Sequence, residues 1–279
     1  MEGRVFMREH IWANHAHVFP EKSKPGATVQ DLKELMAECG IEKAVCFTCF
    51  KDQFTRSGLS GDRIDWLYNE IKDDPSLIGF GTIDFEDDDV DYQIDKMLDC
   101  GFKGIKIHPA FQGENVMSFK AQRVYKKAER EGLFLSFHTG FHWHPIKDYN
   151  LLLFDELAWC YPELKFSMEH IGGYHFFREA LAVMCNAERN SDNDTVFAGW
   201  TTIAMSENGL PGKWSLTDDE LRTVIHQTGN TRSIFGLDFP YNRADYIKKA
   251  IDRIEGLDIP EEAKDGILGR NLQKALGMD

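Results

Sequence analysis

The sequence predicts an α/β fold of the (β/α)8 TIM-barrel type, and three observations carry that expectation. Short apolar runs alternate with longer amphipathic stretches along the whole chain, giving eight strand–helix units. A length of 279 residues suits one such barrel, which typically takes about 250. The main rival, a doubly wound open sheet, usually opens on a Gly-rich phosphate turn, and the chain has no G-x-G-x-x-G, no Walker A motif and no G-x-S-x-G elbow. Composition shifts nowhere along the chain, so residues 1–279 are expected to form a single barrel domain.

The first apolar run ends at His17, and Thr28 then caps a helix over Val29–Cys39 that Gly40 closes. Lys43–Phe50 is the expected second strand and Asp62–Asp73 the second helix, stopped before Pro75. The third strand is expected over Leu77–Phe85. The acidic run Glu86–Asp91 then suits the positive end of a helix dipole, and that helix reaches Cys100. Phe102–Pro109 and Phe119–Glu131 make the fourth pair, Leu133–His138 and Leu151–Tyr161 the fifth. Leu164–His170 is followed by a helix from about Phe176 to Arg189. Thr195–Ile203 precedes Thr217–Thr228, where Thr217 and Glu220 have capping-box spacing. Ser233–Asp238 and Ala244–Ile254 complete the eight, and a last helix spans Glu261–Leu276.

A hydrophobic fraction of 42% is ample for a large core, and 28% charged residues is ordinary for a soluble chain. The formal charge of -14 disfavours nucleic acid as a partner, though a local pocket can still take an anionic small molecule. No apolar stretch approaches the roughly 18 to 20 residues of a membrane span, and Met1–Glu9 lacks a signal-peptide core. The six cysteines are scattered through apolar segments, which predicts reduced thiols and a cytoplasmic protein. Cys46 and Cys49 form a single C-x-x-C on a strand, on opposite faces, and read as structural. Asn193-Asp194-Thr195 matches a glycosylation acceptor, which has no meaning without secretion.

Barrel enzymes place their chemistry at the C-terminal ends of the strands. Those ends carry His15 and His17, Lys106 and His108, His138, His170 and Asp238. All but His10 and His226 of the ten histidines lie at strand ends or in the loops just after them. In an extended strand residues i and i+2 share a face, so His15 and His17 can aim at one object, and paired neutral imidazoles suit a transition-metal ion. The loop Phe141-His142-Trp143-His144-Pro145 is a candidate substrate wall. Arg56 is a candidate anchor for a substrate carboxylate through its bidentate fork. Tyr241 follows Asp238 and can shape the pocket, and Trp200 can be core or pocket wall.

These residues resemble the amidohydrolase superfamily, in particular the amidohydrolase-2 branch that includes aminocarboxymuconate-semialdehyde decarboxylase. The resemblance rests on His15-Ala16-His17, Gly104-Ile105-Lys106-Ile107-His108-Pro109 and His138-Thr139-Gly140. It continues through His170-Ile171-Gly172-Gly173, Phe235-Gly236-Leu237-Asp238-Phe239-Pro240 and Ile267-Leu268-Gly269-Arg270-Asn271. It implies one divalent metal, zinc foremost with manganese or another transition metal as alternatives, held by His15, His17, His138 and Asp238. His170 is implied as a contact to substrate or water. Many relatives carry an acid shortly before the His-x-His pair where this chain has Ala13 and Asn14. Outer carboxylates orient metal-bound imidazoles, so the departure predicts a looser hold on the metal. In binuclear relatives a strand-four lysine is carbamylated, whereas the pattern here resembles the mononuclear branch, where Lys106 lines the pocket or pairs with a carboxylate.

The expected function is hydrolysis of a small ester, lactone or amide bearing a carboxylate, with Asp238 as base to a metal-activated water. Decarboxylation of an aromatic or unsaturated acid at the same site is the alternative, and a non-catalytic ligand-binding barrel is the third reading. Arg56, Lys106, His108, His142, Trp143 and Tyr241 are the expected substrate contacts. Barrels of this branch often assemble into dimers or larger oligomers.

Overall fold

A computed structural model describes residues 10–87, 89–189, 194–204 and 210–278. The Met1–Glu9 segment and Asn193 of the N-x-T match lie outside them. Eight parallel strands close into a barrel in sequence order: β1 (Ile11–His17), β2 (Ile41–Phe47), β3 (Leu77–Thr82), β4 (Gly104–Ile107), β5 (Phe134–His138), β6 (Phe166–Glu169), β7 (Val196–Thr201) and β8 (Ser233–Phe239). The helices that return the chain pack outside. They begin with α1 (Val29–Cys39), whose Thr28 hydroxyl and Asp31 carboxylate form a reciprocal capping box.

Strands end earlier than periodicity predicts wherever a cap intervenes. β2 stops at Phe47, and Phe50 opens a short helix α2 (Lys51–Thr55), its N–H donating to Gln53 Oε1 at 3.0 Å. Asp62 caps α3 (Arg63–Ile71) and Asp89 caps α4 (Val90–Asp99). β4 stops at Ile107 because His108 caps α5 (Pro109–Gln112), with proline at the first helical position, where its missing N–H costs nothing. Then come α6 (Phe119–Glu131), α7 (Leu153–Cys160), α8 (Gly173–Ala187), α9 (Asp218–Thr228) and α10 (Ala244–Gly256). The expected last helix is three pieces: α11 (Glu261–Asp265), a wide π turn over Gly266–Arg270, and α12 (Asn271–Ala275). Gly269 sits where a Cβ would lie 2.8 Å from the His10 carbonyl oxygen and 2.9 Å from Trp12 N, so a side chain there would push the turn off β1.

Two apolar regions result. One is the layer between strands and outer helices. The other fills the barrel floor, where Trp12, Val45, Ile78, Phe80, Phe134, Phe197 and Ile234 pack under Leu272 and Ala275 of α12. Phe47, Phe80, Phe134 and Phe197 run as a ring-to-ring chain with centroids 5.7 to 6.2 Å apart. Above this floor the inward positions turn polar: Asn14, Lys106, Ser136, Ser167, Glu169 and Thr201 are all fully buried. That layer carries the histidines. Trp200 points the other way and is core, and Cys46 and Cys49 are buried, with both thiols pushed up to about 12 by burial. Among the described residues no helix is long and apolar enough to cross a membrane.

Candidate active site

Strand alternation alone would send Asn14 inward and His15 outward. A register shift in β1 between Ala13 and Ala16, with His15 at φ 68°, lets both side chains enter the barrel, and His17 follows on the same side. Left-handed backbone recurs at His170 (φ 65°) and Asp238 (φ 54°). Such conformations cost about 1 kcal/mol or more for residues with a Cβ, and here they fall on the side chains that converge. His15 Nε2 lies 3.3 Å from His17 Nε2 and 3.6 Å from Asp238 Oδ1, and His17 Nε2 lies 4.0 Å from the same oxygen. Edges of that length match a tetrahedral site with ligands at about 2.0 to 2.2 Å.

Burial and the nearby Lys106 charge hold His15 well below the ordinary imidazole range. Burial and the His15 ring do the same to His17, and His170 falls to about 4 for reasons led by burial. The rings are neutral at pH 7 and keep lone pairs for a cation. Burial raises Asp238 to about 6, opposed by a hydrogen bond from Thr202 Oγ1 at 3.1 Å. Asn242 Nδ2 donates to Thr202 Oγ1 at 3.2 Å and to the Leu237 carbonyl at 2.8 Å, which holds that outer chain in place. His170 Nδ1 donates to the Thr201 carbonyl at 3.2 Å, so its Nε2 carries the lone pair. His15, His170 and Asp238 form one group that can hold a metal ion, and His108, His138 and His142 form a second.

Glu169 is the residue that sequence reasoning overlooked. It is fully buried at the end of β6, and its Oε1 accepts from Asn14 Nδ2 at 2.6 Å, Ser136 Oγ at 3.2 Å and Ser167 Oγ. Oε2 accepts from Thr201 Oγ1 at 2.6 Å and lies 3.2 Å from His15 Nδ1. The carboxylate that many relatives carry before His-x-His is therefore supplied from across the barrel, and Asn14 is one of its donors. A sequence signal existed: Ser167 and Glu169 are the polar alternates of an otherwise apolar strand. Gly199 makes the room, since a Cβ there would stand 2.4 Å from Glu169 Oε2.

The strand ends open into a cavity of about 200 Å3. His17, His108, His138, His142, His170, Asp238 and Tyr241 line it, together with Phe50, Gln53, Phe111 and Trp214, which the sequence did not mark. Trp214 explains Gly140 in His138-Thr139-Gly140, because a Cβ there would meet its ring at 2.1 Å. His138 stacks on His108 with centroids 3.9 Å apart, and its Nε2 is buried without a hydrogen-bond partner. Lys106 lies beneath the cavity, fully buried, its ammonium pushed down to about 7 by burial against the opposing pull of Glu169 and Asp238. Lys106 is thus an expected contact that does not line the cavity, and two others are not brought together with the rest at all. Arg56 is exposed at the C-cap of α2, and Trp143 is 87% exposed because its left-handed backbone turns it outward. Neither lines the cavity.

The donor set fits a divalent transition ion: two convergent imidazole nitrogens, a carboxylate oxygen, and the unpartnered His138 Nε2 nearby. Solved structures share the architecture. The uncharacterised TIM-barrel protein Bb4693 of Bordetella bronchiseptica superposes with a TM-score of 0.73 at 17% identity, over 96% of this chain and 99% of that one. A 5-carboxyvanillate decarboxylase from Sphingomonas paucimobilis gives 0.71 at 13% identity, over 98% and 100%. A candidate 2-pyrone-4,6-dicarboxylic acid hydrolase from Pseudomonas putida gives 0.67 at 14% identity, over 98% and 99%. None of the curated proteins matches the chain in sequence. The family model described as Amidohydrolase (Amidohydro_2) matches residues 15–278, and the chain belongs to that family.

Proposed function

We propose that the protein is a metal-dependent hydrolase of a small ester, lactone or amide bearing a carboxylate. The observation that carries this reading is the convergence of His15 Nε2, His17 Nε2 and Asp238 Oδ1 within 4.0 Å at the cavity floor. His15, His17 and Asp238 would hold the ion with His138, whose buried Nε2 lacks another partner. When bound, a divalent ion such as zinc polarises a substrate carbonyl and lowers the pKa of water toward about 7. Asp238, poised near 6, takes the proton of the attacking water and passes it to the leaving group. His170, anchored through Nδ1 on Thr201, offers its Nε2 lone pair to water or substrate. The six unpaired cysteines support a reducing compartment, the cytoplasm.

A second reading is supported by the cavity wall. Phe50, Phe111, Trp214 and Tyr241 suit a flat ring, and two of the similar structures are decarboxylases of benzoic acids. In that reaction Asp238 or His170 would deliver a proton to the carbon that loses CO2. Metal analysis of purified protein beside His15→Ala/His17→Ala, followed by assays on lactones and on hydroxybenzoates, tests both. One zinc per chain, lost in the variant, and an acid product without CO2 are expected. CO2 release would select the lyase, and no stoichiometric ion in metal-replete buffer would sink the central mechanism.

A further inference from the structure

His108, His138 and His142 offer ligand atoms close enough to one another for a second metal. The local bonding of His108 argues for a different role. His108 caps α5, and its Nδ1 accepts the Phe111 backbone N–H at 3.3 Å. An Nδ1 that accepts a hydrogen bond carries no proton, so the ring is the neutral tautomer with its proton on Nε2. A ring whose Nε2 bears hydrogen donates from that atom and has no lone pair there for a cation.

The ring is also held still. The His108 backbone N–H donates to Gln112 Oε1 at 2.6 Å, which fixes the main chain that carries the ring, and Gln112 Nε2 is itself tied to the Ile83 carbonyl at 2.8 Å. The imidazole stacks on His138 at an interplanar angle of 9°. His108 is only 8% exposed, and its Nε2 is buried without a hydrogen-bond partner, on a residue that lines the cavity. A fixed, buried donor left unsatisfied is costly, and a ligand oxygen removes that cost. No Lys or Arg stands among the described residues that line the cavity, so its other donors are neutral too.

We propose that His108 is a substrate-contacting residue whose Nε2–H donates to a carboxylate or carbonyl oxygen of the substrate, and that it is not a metal ligand. The assignment of that oxygen to a substrate rests on the function proposed above; the tautomer does not. The backbone amide of Phe111 sets the polarity of the ring, and thereby gives the β4 side of the cavity a neutral oxygen-binding point opposite the cation-binding side.

Long-range proton–nitrogen NMR correlations of 15N-labelled protein, apo and zinc-loaded, read the tautomer directly, with His108 identified by its loss in His108→Asn. Asparagine keeps an oxygen for the Phe111 N–H but withdraws the donor from the cavity. The expected results are a protonated Nε2 in both forms and the same zinc content in wild type and variant. Benzoate, a carboxylate on a flat ring, should shift the His108 Nε2–H resonance on titration and bind roughly 10- to 100-fold more weakly to His108→Asn. A proton on Nδ1, a zinc-perturbed Nε2, or less zinc in the variant overturns the proposal. So does a benzoate titration that leaves the His108 resonance unmoved. Protein that takes up no zinc yet keeps the tautomer and the benzoate shift would sink the metal-dependent reading and leave His108 as assigned. Where that variant fails to fold, through-bond correlation of the ring to the assigned His108 backbone amide identifies it, and the wild-type spectra then decide the tautomer.

Discussion

The two histidine groups at the barrel mouth differ in what stands behind them. In the group of His15, His170 and Asp238, His15 Nδ1 faces the Glu169 carboxylate at 3.2 Å, and His170 Nδ1 donates to a backbone carbonyl, which leaves its Nε2 with a lone pair toward the cavity. On the β4 side, His108 Nδ1 meets a backbone N–H, so it presents a proton. The same side chain becomes a cation ligand or a hydrogen-bond donor according to the group at its other nitrogen. His138 lies between, stacked on His108 and edge-on to His170 at 4.8 Å, with an unpartnered Nε2; the function proposed above assigns it to the first group, although its ligand atoms lie close to those of His108 and His142 as well.

The largest expected effect tests membership of the first group. His15→Ala and His138→Ala should each weaken zinc binding by at least about 100-fold in calorimetric titration, above the loss typical of an outer partner. His142→Ala, from the second group, should leave zinc affinity unchanged. An unchanged affinity in His138→Ala would move that ring to the β4 side and break the division.

Next comes Glu169→Gln, which keeps the shape and removes the charge that faces His15. Zinc affinity should fall about 10- to 100-fold, the usual effect of losing an outer carboxylate. Circular dichroism should show the barrel still folded. A variant that binds zinc like wild type would mean Glu169 only satisfies the buried hydroxyls around it.

A smaller effect is expected from Gly199→Ala, whose Cβ would intrude on Glu169 Oε2. Overpacking of this kind costs about 1 to 3 kcal/mol in urea unfolding. The zinc affinity should drop with it, because the displaced carboxylate is the one behind His15. The smallest effects belong to Arg56→Ala and Trp143→Ala, each within about 0.5 kcal/mol of wild-type stability. Neither should alter zinc content or benzoate affinity, and a tenfold loss of benzoate binding in Arg56→Ala would restore that residue to the site.

How much was legible in advance follows from how local each signal is. Periodicity and end signals placed all eight strands and most helices, because burial of alternate or every third and fourth residue is written within a few positions of the chain. Boundaries slipped at Phe50 and His108, where a side chain or backbone cap outcompetes the sheet ladder. His15, His17, His138, His170 and Asp238 stood out because imidazoles and carboxylates at strand ends have few other uses in a packed barrel. Trp214 carried no such mark, since nothing in its own stretch tells that it will cover Gly140.

By itself, the sequence determined the barrel, the strand ends that bear the chemistry, and the family whose motifs they match. Tertiary structure alone decided which partner each histidine meets. The bulge at His15 turns that ring inward beside Asn14 and Glu169, the short helix after β4 hands Phe111 N–H to His108, and the exposed end of α2 carries Arg56 away from the cavity. The reason is physical. Periodicity records which side of an element is buried, whereas a ring's tautomer depends on one atom brought into register by another strand or turn. For His15 that atom comes from Glu169 of β6, far along the chain and 3.2 Å away in space.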